Sequence, residues 1–223
     1  MKRLILIALL CVFILSAFSP LPSVTQKSKY NVNFVGHWKK SERAAVMTGV
    51  EQVAKALSRV TGEPPVQAFN RVFGKVTFRK VTSLSGGWFA RTSGRTIWVH
   101  RAYPRLIVHE LGHVFSYVRR SDPERQLYKN PIRDPEGRFI TGSRNGHYDR
   151  NGGRKAPRNG YKSDYSGANG YQQHPRNTPF GNTATEDWGD IFMNWVYQSF
   201  VNNRAGKAIN RWTSEHMNGW IKK

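Results

Sequence analysis

The chain has 223 residues, with 35 Lys and Arg against 14 Asp and Glu, a formal charge of +21. That length suits one domain of ordinary size once processing segments are removed. That charge implies affinity for anionic surfaces such as cell-wall polymers, lipid headgroups or nucleic acid, with a solvated basic surface as the plainer account. The basic residues are spread along the chain rather than gathered in one tail, which argues against a dedicated nucleic-acid module.

Met1, Lys2 and Arg3 followed by an apolar run from Leu4 to Phe18 read as an export signal, since a bilayer-spanning helix needs about 20 apolar residues. We expect residues 1–19 to be a signal peptide with an unsettled cleavage site, or in the alternative a retained N-terminal anchor, residues 20–36 a linker, and residues 37–223 the functional domain. No stable membrane span is then expected after cleavage, and the protein is expected to be secreted or held at the cell surface. The single cysteine, Cys11, lies inside the signal, so the mature chain has no disulfide. A chain of roughly 200 residues can bury an adequate core without one.

Ser41 and Glu42 open a helix in which Val46, Val50, Val53, Leu57 and Val60 share one face, and Gly62 closes it. Glu63-Pro64-Pro65 is a break, and from Val66 to Val99 the pattern reads as strand. Val76 and Phe78 alternate, and Ser93-Gly94-Arg95 predicts a hairpin turn into Thr96–Val99. Pro104 suits the first turn of a helix running to about Arg119. Residues 121–183 differ in kind. Asn-Gly recurs among many other glycines, tyrosines are interleaved, and apolar periodicity is nearly absent, so this is expected to be a long loop insert serving as a lid, a substrate platform or a self-processing loop. Two further helices are expected, from Thr185 to about Val201 and from about Ala205 to Ile221. The fold class is therefore α+β.

The sharpest signal is His109-Glu110-Leu111-Gly112-His113. Residues four apart share a helix face, so both imidazoles can reach one ion, and Glu110 on the same turn can act as general base to a water there. The flanking run is apolar, and two imidazoles with a carboxylate would be costly on a buried helix without a metal. Two histidines leave a tetrahedral zinc short of one protein ligand. Glu186 leads the candidates, because Glu186 and Asp190 lie four apart on the next clear helix; helix-start acids favoured by the macrodipole are the plainer account of that pair. His147 and His174 compete as third ligands.

HExxH followed downstream by ExxxD resembles the gluzincin, thermolysin-like class of zinc metallopeptidases. The metzincin pattern does not fit, since Ser116 and Arg119 stand where its glycine and third histidine belong. The resemblance covers about 30 residues in two blocks. It implies a small zincin-like domain with a mixed or antiparallel sheet, an active-site helix and a second helix carrying the third ligand. It implies His109, His113 and Glu186 as zinc ligands, Glu110 as catalytic base, and Asp190 as acceptor of the far N–H of His109. The class commonly has Asn before the ligand Glu, where this chain has Thr185. A Tyr or His is implied for the oxyanion, and Tyr165, Tyr171, His147 and His174 are available. The strand Thr96–Val99 is the expected edge that an extended substrate would pair with; His100 at its end is expected to be structural. Among Trp88, Trp98, Trp188 and Trp195, core filling is expected for most and pocket lining for the rest. Calcium would find only sparse ligands in Asp149 and Asp164.

Three functions remain open at this level. The first is a secreted zinc peptidase with a peptide or protein substrate. The second is a hydrolase of cell-wall peptide crosslinks, drawn to an anionic cell-surface polymer by its charge. The third is a non-enzymatic basic surface-binding protein with a structural zinc.

Overall fold

The computed structural model describes residues 30–85, 88–130, 132, 183–200, 202 and 204–222. The expected signal, residues 20–29 of the expected linker and most of the glycine-rich insert lie outside the described residues. The domain is a mixed α+β structure. One four-stranded mixed sheet has the order β1-β2-β4-β3, where β1 is Val32–Val35, β2 is Val76–Lys80, β3 is Ala90–Ser93 and β4 is Thr96–Val99. β1 and β4 both run parallel to β2, and β3 is antiparallel to β4. Six helices accompany it among the described residues: α1 (Lys40–Thr61), α2 (Pro65–Phe73), α3 (Pro104–Val118), α4 (Asp122–Lys129), α5 (Thr183–Tyr197) and α6 (Arg204–Lys222). None of them is long and apolar enough to cross a membrane.

The sheet is covered on one face. Val76, Phe78, Ala90, Ile97 and Val99 are buried, whereas Arg79, Arg91 and Ser93 on the alternate positions are exposed or nearly so, the period-two pattern of a half-buried sheet. α1 forms as its spacing predicts: Val46, Val50, Val53 and Leu57 are buried, and Gly62 caps it with φ of 73°. α3 lies between α1, the β3 edge and α5, so its buried residues run round the helix: Ile107, His109, Glu110, Leu111, Val114, Phe115 and Ser116. α5 is apolar in the same way. Trp188, Ile191, Phe192 and Met193 are all buried, and the Trp188 indole N–H donates to the Gly112 carbonyl at 2.8 Å. That bond ties α5 to α3 one residue before His113.

Four expectations need correction. The segment read as linker up to residue 36 contains β1, in register with β2 from Val32 opposite Val76; four residues offer too little alternation to be seen. The stretch from Val66 does not begin as strand but as α2, whose Ala68, Phe69, Val72 and Phe73 are buried at 3-4 spacing. Pro64-Pro65 is therefore a helix start rather than a mere break. The insert expected from residue 121 opens with α4, anchored by buried Leu127. Finally, β4 is not the edge strand. It is flanked by β2 and β3, and the edge beside α3 is β3. Of the tryptophans, Trp188 and Trp195 fill the core and Trp98 is half-buried on the outer sheet face.

Candidate metal centre

α3 presents His109, Glu110 and His113, and the first turns of α5 present Glu186 and Asp190. Helix periodicity places His109 and His113 one turn apart, with ring centroids 4.7 Å apart. Their Nε2 atoms lie 3.0 Å from each other. Glu186 Oε2 is 3.4 Å from His109 Nε2 and 3.9 Å from His113 Nε2. These three side chains form a group able to hold a metal ion. Tetrahedral bonds of about 2.0–2.2 Å would set neighbouring donors roughly 3.3–3.6 Å apart. The sides of 3.0, 3.4 and 3.9 Å lie on both sides of that range, so the triangle is of the size of one face of such a site. Asp190 Oδ1 lies 2.8 Å from His109 Nδ1, and Asp190 is 1% exposed. A carboxylate there accepts the Nδ1 proton and aims Nε2 at the other two donors.

α5 approaches α3 closely at this point. A Cβ placed on Gly189 would stand 2.5 Å from His109 Cε1 and 2.6 Å from Nε2. Glycine at 189 is therefore what lets the ring lie flat against the helix that carries Glu186 and Asp190.

Glu110 is buried. The Thr92 hydroxyl on β3 donates to its Oε2 at 2.5 Å. Burial pushes the Glu110 carboxyl up to about 7, opposed by His109 and the Thr92 bond and assisted by the charge of Glu186. At His109 burial works against charge, but Asp190 and Glu186 outweigh it and lift the imidazole to about 10. Two carboxylates that hold a proton on a buried ring mark a place built for positive charge. In the metal-free protein both shifts act in one direction, because the folded state binds protons more tightly than the unfolded chain. Stability contributed by Glu110 falls as pH rises from 4.5 through about 7, and that contributed by His109 as pH rises from 6.5 through about 10. The urea midpoint of the metal-stripped protein is expected to drop steadily over that window. A bound ion, which replaces the protons, is expected to flatten the dependence.

A cavity of about 370 Å³ opens onto this group, lined by Leu84, Trp88, Thr92, Glu110, His113 and Glu186 among others. Tyr117, 57% exposed, stands on its rim. The edge strand supplies one wall. Phe89, immediately before β3, accepts a bond from the N–H of His100 at 2.8 Å. Antiparallel pairs alternate between bonded and non-bonded, so Arg91 and Ser93 also face β4. The backbone groups of Ala90 and Thr92 face the other way, toward the cavity they line and the edge that no strand covers among the described residues. His100 closes the hairpin through its backbone, its carbonyl accepting from Lys80 Nζ.

Of the residues picked from sequence, His109, Glu110, His113, Glu186 and Asp190 are brought together, and Trp88 reaches the cavity wall. Tyr165, Tyr171, His147 and His174, and the calcium candidates Asp149 and Asp164, lie outside the described residues. Three participants were missed. Glu124 on α4 also lines the cavity, and its Oε2 accepts from the Thr185 hydroxyl at 3.1 Å. Thr185 thus ties α4 to α5 beside Glu186. Burial raises the Glu124 carboxyl, with the Thr185 hydroxyl opposing. Gly189 lies inside the ExxxD block, but only the packing of α5 on α3 shows that a Cβ there would meet His109. Thr92 left no trace in the sequence beyond its place on a strand.

No protein-family model matches the chain, and neither a curated protein nor a solved structure matches it.

Proposed function

We propose that the protein is a secreted zinc-dependent peptidase of the gluzincin type, with His109, His113 and Glu186 holding the ion and Glu110 as general base. One observation carries the reading: three donors from two helices meet beside a buried carboxylate on the wall of an open cavity. Two imidazoles and one carboxylate suit zinc better than calcium or magnesium, which prefer all-oxygen sets. When bound, zinc would supply Lewis acidity and bring the pKa of a water toward neutrality.

The chain's own residues would do the rest. Glu110 takes a proton from the attacking water and delivers it to the leaving amine, and burial tunes its carboxyl toward the pH at which such exchange works in both directions. Asp190 fixes the ring of His109. An extended peptide would add to the open edge of β3 through the backbone of Ala90 and Thr92. A peptide paired there would run along the cavity that Glu110, His113 and Glu186 line, with Leu84, Trp88 and Tyr117 to receive neighbouring side chains. An ion held by His109, His113 and Glu186 would contribute part of the stabilisation of the developing oxyanion.

The N-terminal pattern supports export, and the charge of +21 favours a second substrate, the peptide crosslinks of an anionic wall polymer. The test is metal analysis together with hydrolysis. We expect about one zinc per chain, cleavage of an unfolded protein or of purified wall peptides, loss of cleavage on chelation and recovery on adding zinc back. Cleavage of wall material alone would select the second substrate. A protein that binds zinc and cleaves neither would leave the ion a structural role and end the peptidase reading.

A further inference from the structure

We infer that Thr92 is a positioning residue for Glu110. The inference rests on the peptidase reading above. A carboxylate at the end of a helical Glu side chain has several torsions to lose before it is of use as a base, and α3 itself offers it no donor among the bonds of the site. Thr92 supplies one from a different element. Its hydroxyl donates to Glu110 Oε2 at 2.5 Å, within the range of about 2.5–2.7 Å typical of an O–H bonded to an ionised carboxylate. The same hydroxyl is 3.3 Å from the Glu110 backbone oxygen, so the side-chain contact is the dominant one. With Oε2 held, Oε1 is the oxygen left to move protons.

The placement on β3 gives the residue its second part. Threonine is β-branched and stiff at χ1, so on a strand its hydroxyl direction follows the backbone. The Thr92 backbone faces the open edge while the residue pairs across with Ile97 on β4. The strand, held against β4, thus fixes the hydroxyl that orients Glu110.

Thr92→Val keeps the branch and the strand preference and removes the donor. With zinc loaded, we expect kcat to fall about tenfold while KM stays within about twofold, the pattern of an interaction used in the chemical step rather than in binding. Zinc stoichiometry and melting temperature should match the wild type, which separates positioning from damage. Thr92→Ser restores the hydroxyl and should recover most of kcat. Unchanged kcat in Thr92→Val overturns the inference and leaves the peptidase reading intact, and so does a loss of kcat accompanied by loss of zinc. A wild-type protein that holds zinc and cleaves no peptide overturns the peptidase reading, and this inference with it.

Discussion

Glu110→Gln is expected to keep its zinc and lose turnover by a factor of about 10²–10⁴, the usual worth of a positioned general base. Glutamine has the same shape and can still accept the Thr92 hydroxyl bond at the oxygen that now receives it. It cannot take a proton at neutral pH. Glu110 is not one of the three donors that cluster at the candidate metal centre, so metal content should stay at one per chain. Removing a buried carboxylate whose pKa is raised by burial should also leave stability unchanged or slightly higher, because the cost of desolvating the charge disappears. Metal analysis, a melting curve and a peptide assay on the same sample check all three. Turnover equal to the wild type would remove Glu110 from the mechanism, whatever the metal does.

The second large effect is expected at a residue that has no side chain of its own. Gly189→Ala should abolish tight zinc binding, because its methyl would stand 2.5–2.8 Å from three atoms of the His109 ring. The ring is held on its other side by the Asp190 bond at 2.8 Å, and α3 and α5 are locked by Trp188 on the Gly112 carbonyl. Neither helix can withdraw cheaply, so the imidazole must turn and its Nε2 must leave the donor triangle. Gly219→Ala provides the control. Gly219 is an exposed position of α6 with no atom near its would-be Cβ, and alanine there should add up to about 1 kcal/mol of helix stability with zinc binding unaltered. Zinc bound equally well by Gly189→Ala would show that α5 does not lie against His109 as described.

Residue identity and spacing were enough for the parts of this protein that are local. HExxH on an apolar run is a statement about one helix turn, and α3 forms there with both histidines on one face. The valine stripe of α1 with Gly62 behind it, and the hairpin at Ser93–Thr96, were legible for the same reason: a periodic pattern bounded by turn residues leaves few conformations. α2 was misread because the apolar residues after Pro65 were counted as strand, although their spacing of three and four suits a helix, and β1 because four residues are too short for a pattern.

What spacing alone left open was which element meets which. Glu186 and Asp190 as a helical pair could equally have been acids at an exposed helix start, and only the packing of α5 on α3, set by Trp188, Gly112 and Gly189, brings them to His109. Chain order points to β4 as the edge of the sheet, since it is the strand nearest α3 in sequence, but nearness in sequence does not decide nearness in space. The hairpin instead folds β3 to the outside, and with it goes the open row of backbone groups and the hydroxyl of Thr92. Those choices come from long-range burial, which adds contributions from residues scores of positions apart, and no local window of sequence contains that sum.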